Sequence, residues 1–161
     1  MGIYLNPRND GFQESINSEI YVDQTGLISY TNSVLKTEQR FVCVSRPRRF
    51  GKSMAANMLT AYYEKDIDSS EMFQGLSISQ DDMFKKHLNK YNVIFLNIQT
   101  FLSRAHDIMK LRSMIEKSLL RDLMKVYPDI DYLDQSDLIS SLMDIYGETS
   151  DPFIFIIDEW D

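Results

Sequence analysis

A basic cluster stands between residues 46 and 53, which read RPRRFGKS. The whole chain, by contrast, has a formal net charge of −7. A local concentration of positive charge in an acidic chain indicates that this segment faces an anion. Lys52 offers a compact ammonium for a phosphate group, the Ser53 hydroxyl is a ligand suited to Mg²⁺, and Gly51 lets the backbone approach closely. The chemistry predicted for this cluster is therefore phosphate binding.

An acidic pair lies near the other end of the chain, where Asp158 and Glu159 follow the apolar run 153–157. A carboxylate at this place can hold Mg²⁺ directly or through water, and its neighbour can act as a general base towards water. We therefore predict that Ser53 and Asp158 hold Mg²⁺ and that Glu159 and Lys52 are the catalytic residues. An adjacent acid of this kind is more typical of ATPases than of GTPases.

Three apolar runs are rich in β-branched and aromatic residues. They lie near 41–45, 93–98 and 153–157. This pattern predicts strands that are buried on both faces, with helices between them. The fold class predicted is α/β, as a partial P-loop NTPase three-layer fold with a parallel sheet. Ligands of such folds gather at the carboxyl ends of the strands. Both charged clusters follow predicted strands, so we expect them to face one crevice.

The helices between these runs are predicted from spacing and capping residues. One begins after Gly51, another runs from a cap at Ser103 to about Val126, and a third starts near Ser136 and stops at Gly147. Residues 1–19 are polar and rich in turn formers, so we expect a loosely ordered lead-in.

The loop matches the last three positions of the phosphate-loop pattern G-x-x-x-x-G-K-[ST], while Arg46 replaces its first glycine. The expected ligands are ATP and Mg²⁺. Nucleotide contacts are assigned to the loop and the residue after it: Arg46, Pro47, Arg48, Arg49, Phe50, Gly51, Lys52, Ser53 and Met54. The alternatives are a solvated basic face, a nuclear address or a protease site for the loop, and ordinary surface acids for the pair at the strand end.

Composition places the chain among ordinary globular proteins. It has 161 residues, 43% of them hydrophobic and 25% charged, and no apolar run approaches the roughly 20 residues that span a bilayer. The N-terminus lacks the pattern of a secretory signal, and the single cysteine, Cys43, is predicted to be a core residue. These features favour a cytoplasmic protein without membrane contact.

Four segments in this order resemble the AAA-ATPase-like family that is common in bacteria: YVDQTGLI, RPRRFGKS, MFQGLSIS and FIIDEWD. The resemblance runs from about residue 12 to 161, and the arginines of the loop are its most specific part. Two positions depart from the pattern, because Gln24 stands where lysine is usual and Trp160 where tyrosine is usual.

The resemblance implies a P-loop ATPase with an extra catalytic glutamate and a sheet of strand order 5-1-4-3-2. In that order a later strand separates the loop strand from the Asp-Glu strand. We therefore expect residues 1–161 to be a single, C-terminally truncated domain, which is either poorly stable or pairs those two strands directly. Many members also carry a PD-(D/E)XK nuclease-like domain, so such a domain is a possible partner in a full-length protein.

Three functions follow from these observations. The first is Mg²⁺-dependent ATP binding and hydrolysis. The second is a nucleotide-binding regulatory module without turnover, and the third is a nucleic-acid-binding protein that uses the arginine loop, a reading that the acidic net charge disfavours. Two assignments stay open: the loop arginines either contact phosphates or bond to acidic neighbours, and residues 21–25 lie either near the base or ribose or in a structural cap.

Overall fold

The computed structural model describes residues 1–45, 47 and 50–160. The chain divides into two compact units. We call residues 8–90 the loop unit, and residues 1–7 together with 91–160 the sheet unit. Across the described residues, no helix is both long and apolar enough to cross a membrane. The single domain expected from the sequence stays a prediction.

The loop unit is helical. Its elements are α1 (Asp10–Ile16), α2 (Gly26–Val34), α3 (Lys52–Tyr63), two 3₁₀ turns (Ser70–Phe73 and Ser77–Gln80) and the short α4 (Phe84–His87). Aromatic side chains fill its core, where Phe12 stacks on Phe73 with ring centroids 5.1 Å apart and Tyr62 meets Phe73 edge-on at 5.5 Å. The interior of this unit therefore depends on α1, α3 and the first 3₁₀ turn together.

Helix α3 forms as predicted and buries one face, which carries Ala55, Met58 and Tyr62. Buried hydroxyls also tie its end to α2. The amide of Asn32 donates to the Tyr62 hydroxyl at 2.9 Å, and the hydroxyls of Thr31 and Tyr63 are 2.7 Å apart. These bonds satisfy polar groups that would otherwise be costly to bury. They hold the helix that begins at the basic loop.

The sheet unit contains two parallel strands, β1 (Asn92–Asn97) and β2 (Phe153–Asp158), with Asn92 beside Phe153 and Asn97 beside Asp158. The connection between them contains α5 (Ile98–Leu102), α6 (Ile108–Val126) and α7 (Leu138–Thr149). Its core combines the N-terminal segment, β1 and these helices: Leu5, Ile94, Leu96, Phe101, Leu119, Leu123 and Ile145. Two of the three predicted strands are thus confirmed, and they are neighbours, as the implied strand order requires.

The predicted strand at 41–45 is wrong. Phe41 is 83% exposed, Cys43 is exposed rather than in the core, and no described strand pairs with this segment. The direct pairing of this segment with β2 is therefore also absent from the described residues. Composition predicts that a segment can be a strand, but a strand forms only where neighbouring strands satisfy its backbone. Among the described residues, no strand lies beside residues 41–45.

Two further expectations are corrected. The helix predicted from Ser103 begins instead at Ile108, because the side chain of Asp107 accepts the Lys110 N–H at 2.7 Å and caps it. Helix α7 continues past Gly147 to Thr149, since Ser150 adopts the left-handed conformation that ends it.

Within residues 1–19, whose loose order stays a prediction, several residues make specific contacts. Leu5 and Phe12 are fully buried, and residues 4–6 lie along β1, where the Phe95 N–H donates to the Tyr4 carbonyl at 2.9 Å. Asp122 of α6 accepts the Tyr4 N–H at 2.6 Å. Because most residues of this segment are polar, its few buried apolar side chains were not predicted from composition.

Candidate nucleotide site

The basic loop leads directly into helix α3. The Phe50 N–H donates to the Pro47 carbonyl at 3.3 Å, and Gly51 follows with φ of +80°, a left-handed conformation that favours glycine. Helix α3 then begins at Lys52, and the Ala55 N–H donates to the Gly51 carbonyl at 2.9 Å. Gly51 therefore turns the chain from the loop into the helix.

Three predicted site residues share the first turn of α3. Lys52 and Met54 are half-buried, and Ser53 is exposed. This turn contains no acidic side chain, and the first backbone N–H groups of a helix favour an anion. The turn therefore combines the ammonium of Lys52 and the hydroxyl of Ser53 with a positive helix end. Arg46, Arg48 and Arg49 lie outside the described residues, so their predicted contacts stay predictions.

A hydrogen-bonded cluster, which we call the clasp, joins Asp23 and Thr25 to Ser77 and Ile78. One carboxylate oxygen of Asp23 accepts the Thr25 N–H at 2.8 Å and the Thr25 hydroxyl at 2.6 Å. The other oxygen accepts the Ser77 N–H and hydroxyl, both at 2.7 Å. Thr25 in turn accepts the Ile78 N–H at 3.1 Å. The clasp thus connects two of the four segments that carry the family resemblance.

The clasp also changes the acidity of Asp23. Partial burial opposes ionisation, but the hydrogen bonds from Thr25 and Ser77 outweigh it and lower the pKa of Asp23 to about 2. Asp23 is therefore a charged structural residue at neutral pH. Residues 23 and 25 thus have a structural role in the clasp, although α2 begins without a side-chain cap hydrogen bond, and a place for residues 21–25 near the base or ribose stays a prediction.

Gln24 lies against the loop. A Cβ atom built on Gly51 would lie 2.9 Å from the Gln24 Nε2 and 3.6 Å from its Oε1. The carboxamide thus occupies the space that a side chain at position 51 would need. Sequence reasoning missed Gln24 as a residue beside the loop and Ser77 as the partner of Asp23. The only signal was that their segments recur in the family pattern.

The acidic pair lies at the end of β2. Asp158 is buried, and one of its carboxylate oxygens accepts the Glu159 N–H at 3.0 Å. Glu159 is half-buried and has φ of +53°, which is uncommon for a residue with a side chain. The backbone therefore turns sharply between the two carboxylates, so the side chains do not continue the alternation of the strand.

Asn97 stands beside Asp158 in the strand register and was not predicted as a site residue. Its side chain accepts the Thr100 N–H at 3.2 Å and caps α5. Strand alternation puts Asn97 and Asp158 on the same face of the sheet. The carboxyl edge of the sheet unit therefore carries an amide and a carboxylate side by side.

The structure brings the predicted residues together in two groups. Gly51, Lys52 and Ser53 are contiguous in the loop unit, and Asp158 and Glu159 are contiguous in the sheet unit. The common crevice expected for the two groups stays a prediction.

Comparisons with curated proteins and with solved structures found no match for this chain. A family model described as a predicted AAA-ATPase matches residues 10–161, which is nearly the whole chain. The match includes the basic loop, the clasp and the acidic pair. The chain therefore belongs to the AAA-ATPase-like family.

Proposed function

We propose that this chain binds ATP together with Mg²⁺ at the RPRRFGKS loop and hydrolyses it. The observation that carries the proposal is the left-handed Gly51, which puts Lys52 and Ser53 in the first turn of α3 in a chain of the AAA-ATPase-like family. A helix start with a lysine, a hydroxyl and no carboxylate suits the phosphates of a nucleotide.

Lys52 would contact the terminal phosphates, and Ser53 would be a ligand of Mg²⁺. Asp158 keeps its predicted role as a further ligand of Mg²⁺. The donor set fits Mg²⁺, because a hydroxyl, a carboxylate and phosphate oxygens are all hard oxygen ligands. The described residues contain no cluster of three or more His, Cys, Asp or Glu that could hold a metal by itself. The metal would therefore depend on the nucleotide for part of its coordination.

Glu159 would act as the general base for hydrolysis. The Asp158 carboxylate accepts the Glu159 N–H, which supports the sharp turn between them. The half-buried carboxylate of Glu159 can then accept a proton from water, while Asp158 keeps its place at the strand end. Because Asp158 and Glu159 have different proposed roles, one in metal binding and one in activating water, we expect hydrolysis of ATP as well as binding.

The test is a calorimetric titration of MgATP into the wild type, Lys52→Ala and Lys85→Ala. Lys85 is an exposed lysine of α4 in the same unit and serves as the matched control. Loss of charged contacts to the phosphates should weaken binding about 10- to 100-fold in Lys52→Ala. Lys85→Ala should bind as the wild type does. Equal binding by Lys52→Ala and the wild type would refute the proposed site.

Hydrolysis is tested separately by phosphate release. Glu159→Gln should bind MgATP normally and release phosphate at least about 100-fold more slowly, because it lacks the general base. A wild type that binds MgATP and releases no phosphate would instead be a nucleotide-binding module without turnover. Single-stranded DNA binding that is unaffected by nucleotide would point to the arginine loop as a nucleic-acid site.

A further inference from the structure

The backbone of Gln24 is anchored on both sides. Asp23 and Thr25 belong to the clasp, and Thr25 is fully buried. The Gln24 carbonyl accepts the Leu27 N–H at 3.0 Å at the start of α2. A residue held by both neighbours and by the first turn of a helix has little freedom to move its backbone. The direction in which the Gln24 side chain leaves the chain is therefore set by the clasp.

The Gln24 side chain is directed at Gly51. Its carboxamide nitrogen lies 2.9 Å from the position of a Cβ on Gly51, and the terminal carbon of Met54 lies 3.5 Å from the same position. Gly51 is left-handed, and the next residue is Lys52. The two side chains therefore close over the glycine on which the direction of α3 depends.

We propose that Gln24 is a positioning residue for the phosphate loop: its carboxamide packs on Gly51 and holds Lys52 and Ser53 in place for the phosphates of the nucleotide. This inference rests on the proposed function. Because position 24 lies beside the start of the anion-binding helix, the charge of its side chain also sets the affinity for those phosphates. The neutral carboxamide of Gln24 does not repel the phosphates, whereas a carboxylate at this position would.

The first experiment changes only charge. MgATP is titrated into Gln24→Glu, Gln24→Lys and the control Gln74→Glu, which places the same charge on an exposed glutamine of the same unit. Gln24→Glu should weaken binding by about fivefold or more, and Gln24→Lys should bind at least as tightly as the wild type. Gln74→Glu should stay within about twofold. Thermal unfolding of each variant shows whether its fold is kept, and a purely structural role would not produce effects of opposite sign.

The second experiment needs no nucleotide. Hydrogen exchange of the backbone amides in the second turn of α3, beginning with the Ala55 N–H that donates to the Gly51 carbonyl at 2.9 Å, is compared in the wild type, Gln24→Ala and Gln74→Ala. Loss of the packing on Gly51 should speed exchange at these amides by about fivefold or more in Gln24→Ala only. Unchanged exchange in Gln24→Ala would overturn the positioning role, whether or not the protein binds ATP.

The two proposals fail in different ways. If Lys52→Ala loses MgATP binding while both Gln24 charge variants bind as the wild type does, the inference about Gln24 is wrong and the nucleotide site stands. If the wild type itself binds no MgATP, the proposed function is wrong, and the exchange experiment alone decides whether Gln24 holds the loop.

Discussion

The carboxylate of Asp23 accepts two hydrogen bonds from Ser77, one from its N–H and one from its hydroxyl, although 54 residues separate the two positions. Asp23 precedes α2 and Ser77 begins the second 3₁₀ turn. The basic loop and α3 lie between them in sequence. The clasp thus joins the two ends of a long segment that contains the basic loop. Closing such a segment costs conformational entropy, which the hydrogen bonds of the clasp help to offset. We therefore expect these bonds to contribute measurably to the stability of the loop unit.

Asp23→Asn should reduce the free energy of unfolding by about 1 kcal/mol at pH 7, a value discounted because the carboxylate is exposed to solvent. The pKa of Asp23 is lowered from 3.8 to about 2, so its contribution is present above about pH 4 and is lost as pH falls towards 2. Urea unfolding of both proteins between pH 7 and 2.5 should therefore show the difference shrinking. Asp82→Asn, an exposed change in the same unit, is the control. A difference that is independent of pH would contradict this assignment.

Thr25→Val should destabilise the loop unit by about 1–3 kcal/mol. The substitution removes the hydroxyl that accepts the Ile78 N–H at 3.1 Å and leaves that buried donor unpaired. Thr25→Ser keeps the hydroxyl and should lose less than half as much. Chemical denaturation of the two variants provides the comparison. A Thr25→Val variant as stable as the wild type would show that the hydroxyl of Thr25 does not stabilise the clasp.

Gly51→Ala should destabilise the loop unit by about 1–2 kcal/mol, because alanine is strained at φ of +80° and its Cβ would lie 2.9 Å from Gln24. Gly26→Ala is the matched control, since Gly26 begins α2 in the same unit and a Cβ there meets nothing within 4 Å. That change should stabilise by up to about 1 kcal/mol. Unfolding midpoints of the two variants should shift in opposite directions. A stabilising Gly51→Ala would rule out the left-handed turn.

Glu64 should make the loop unit less stable at neutral pH than at mildly acidic pH. Its side chain is fully buried, and this burial outweighs the hydrogen bonds from the N–H groups of Asp66 and Ile67 and raises the pKa of Glu64 from 4.5 to about 7. Between these values the folded protein holds a proton that the unfolded chain releases. The free energy of unfolding therefore decreases as pH rises through this window, by about 2–3 kcal/mol.

The measurement for Glu64 is urea unfolding from pH 4.5 to 8 in the wild type, Glu64→Gln and Glu14→Gln. Glutamine does not titrate, so Glu64→Gln should lack this part of the pH dependence. Glu14 is exposed on α1, and its replacement should leave the dependence unchanged. A wild type and a Glu64→Gln variant with parallel pH profiles would show that Glu64 is ionised in the folded protein at pH 5.

Local patterns predicted the parts of the fold that depend on local interactions. The apolar runs gave β1 and β2 to within a residue, and the glycine followed by strong helix formers predicted α3. The segment at 41–45 is similarly apolar, but it is mostly exposed. Its burial would require partner strands, and a local sequence pattern does not show whether these are present. Composition therefore indicated which segments can form strands, but not which of them pair with a neighbouring strand.

The candidate site divides in the same way. Gly51, Lys52 and Ser53 were predictable because their chemistry and their spacing lie in one motif. The contact of Gln24 with Gly51 was not predictable, since it depends on the bonds that Asp23 makes to a residue far along the chain. Long-range hydrogen bonds between small polar residues leave no periodic signal in a sequence.

The sheet unit is made of two segments of chain, with residues 8–90 between them. On the ribosome, Tyr4 and Leu5 emerge long before their partners in β1 and before Asp122, which accepts both of their N–H groups. The loop unit is continuous and can fold as soon as it has been synthesised, because domains generally fold in the order of synthesis. Tyr4 and Leu5 are consequently made before the loop unit but reach their native contacts only after it can have folded.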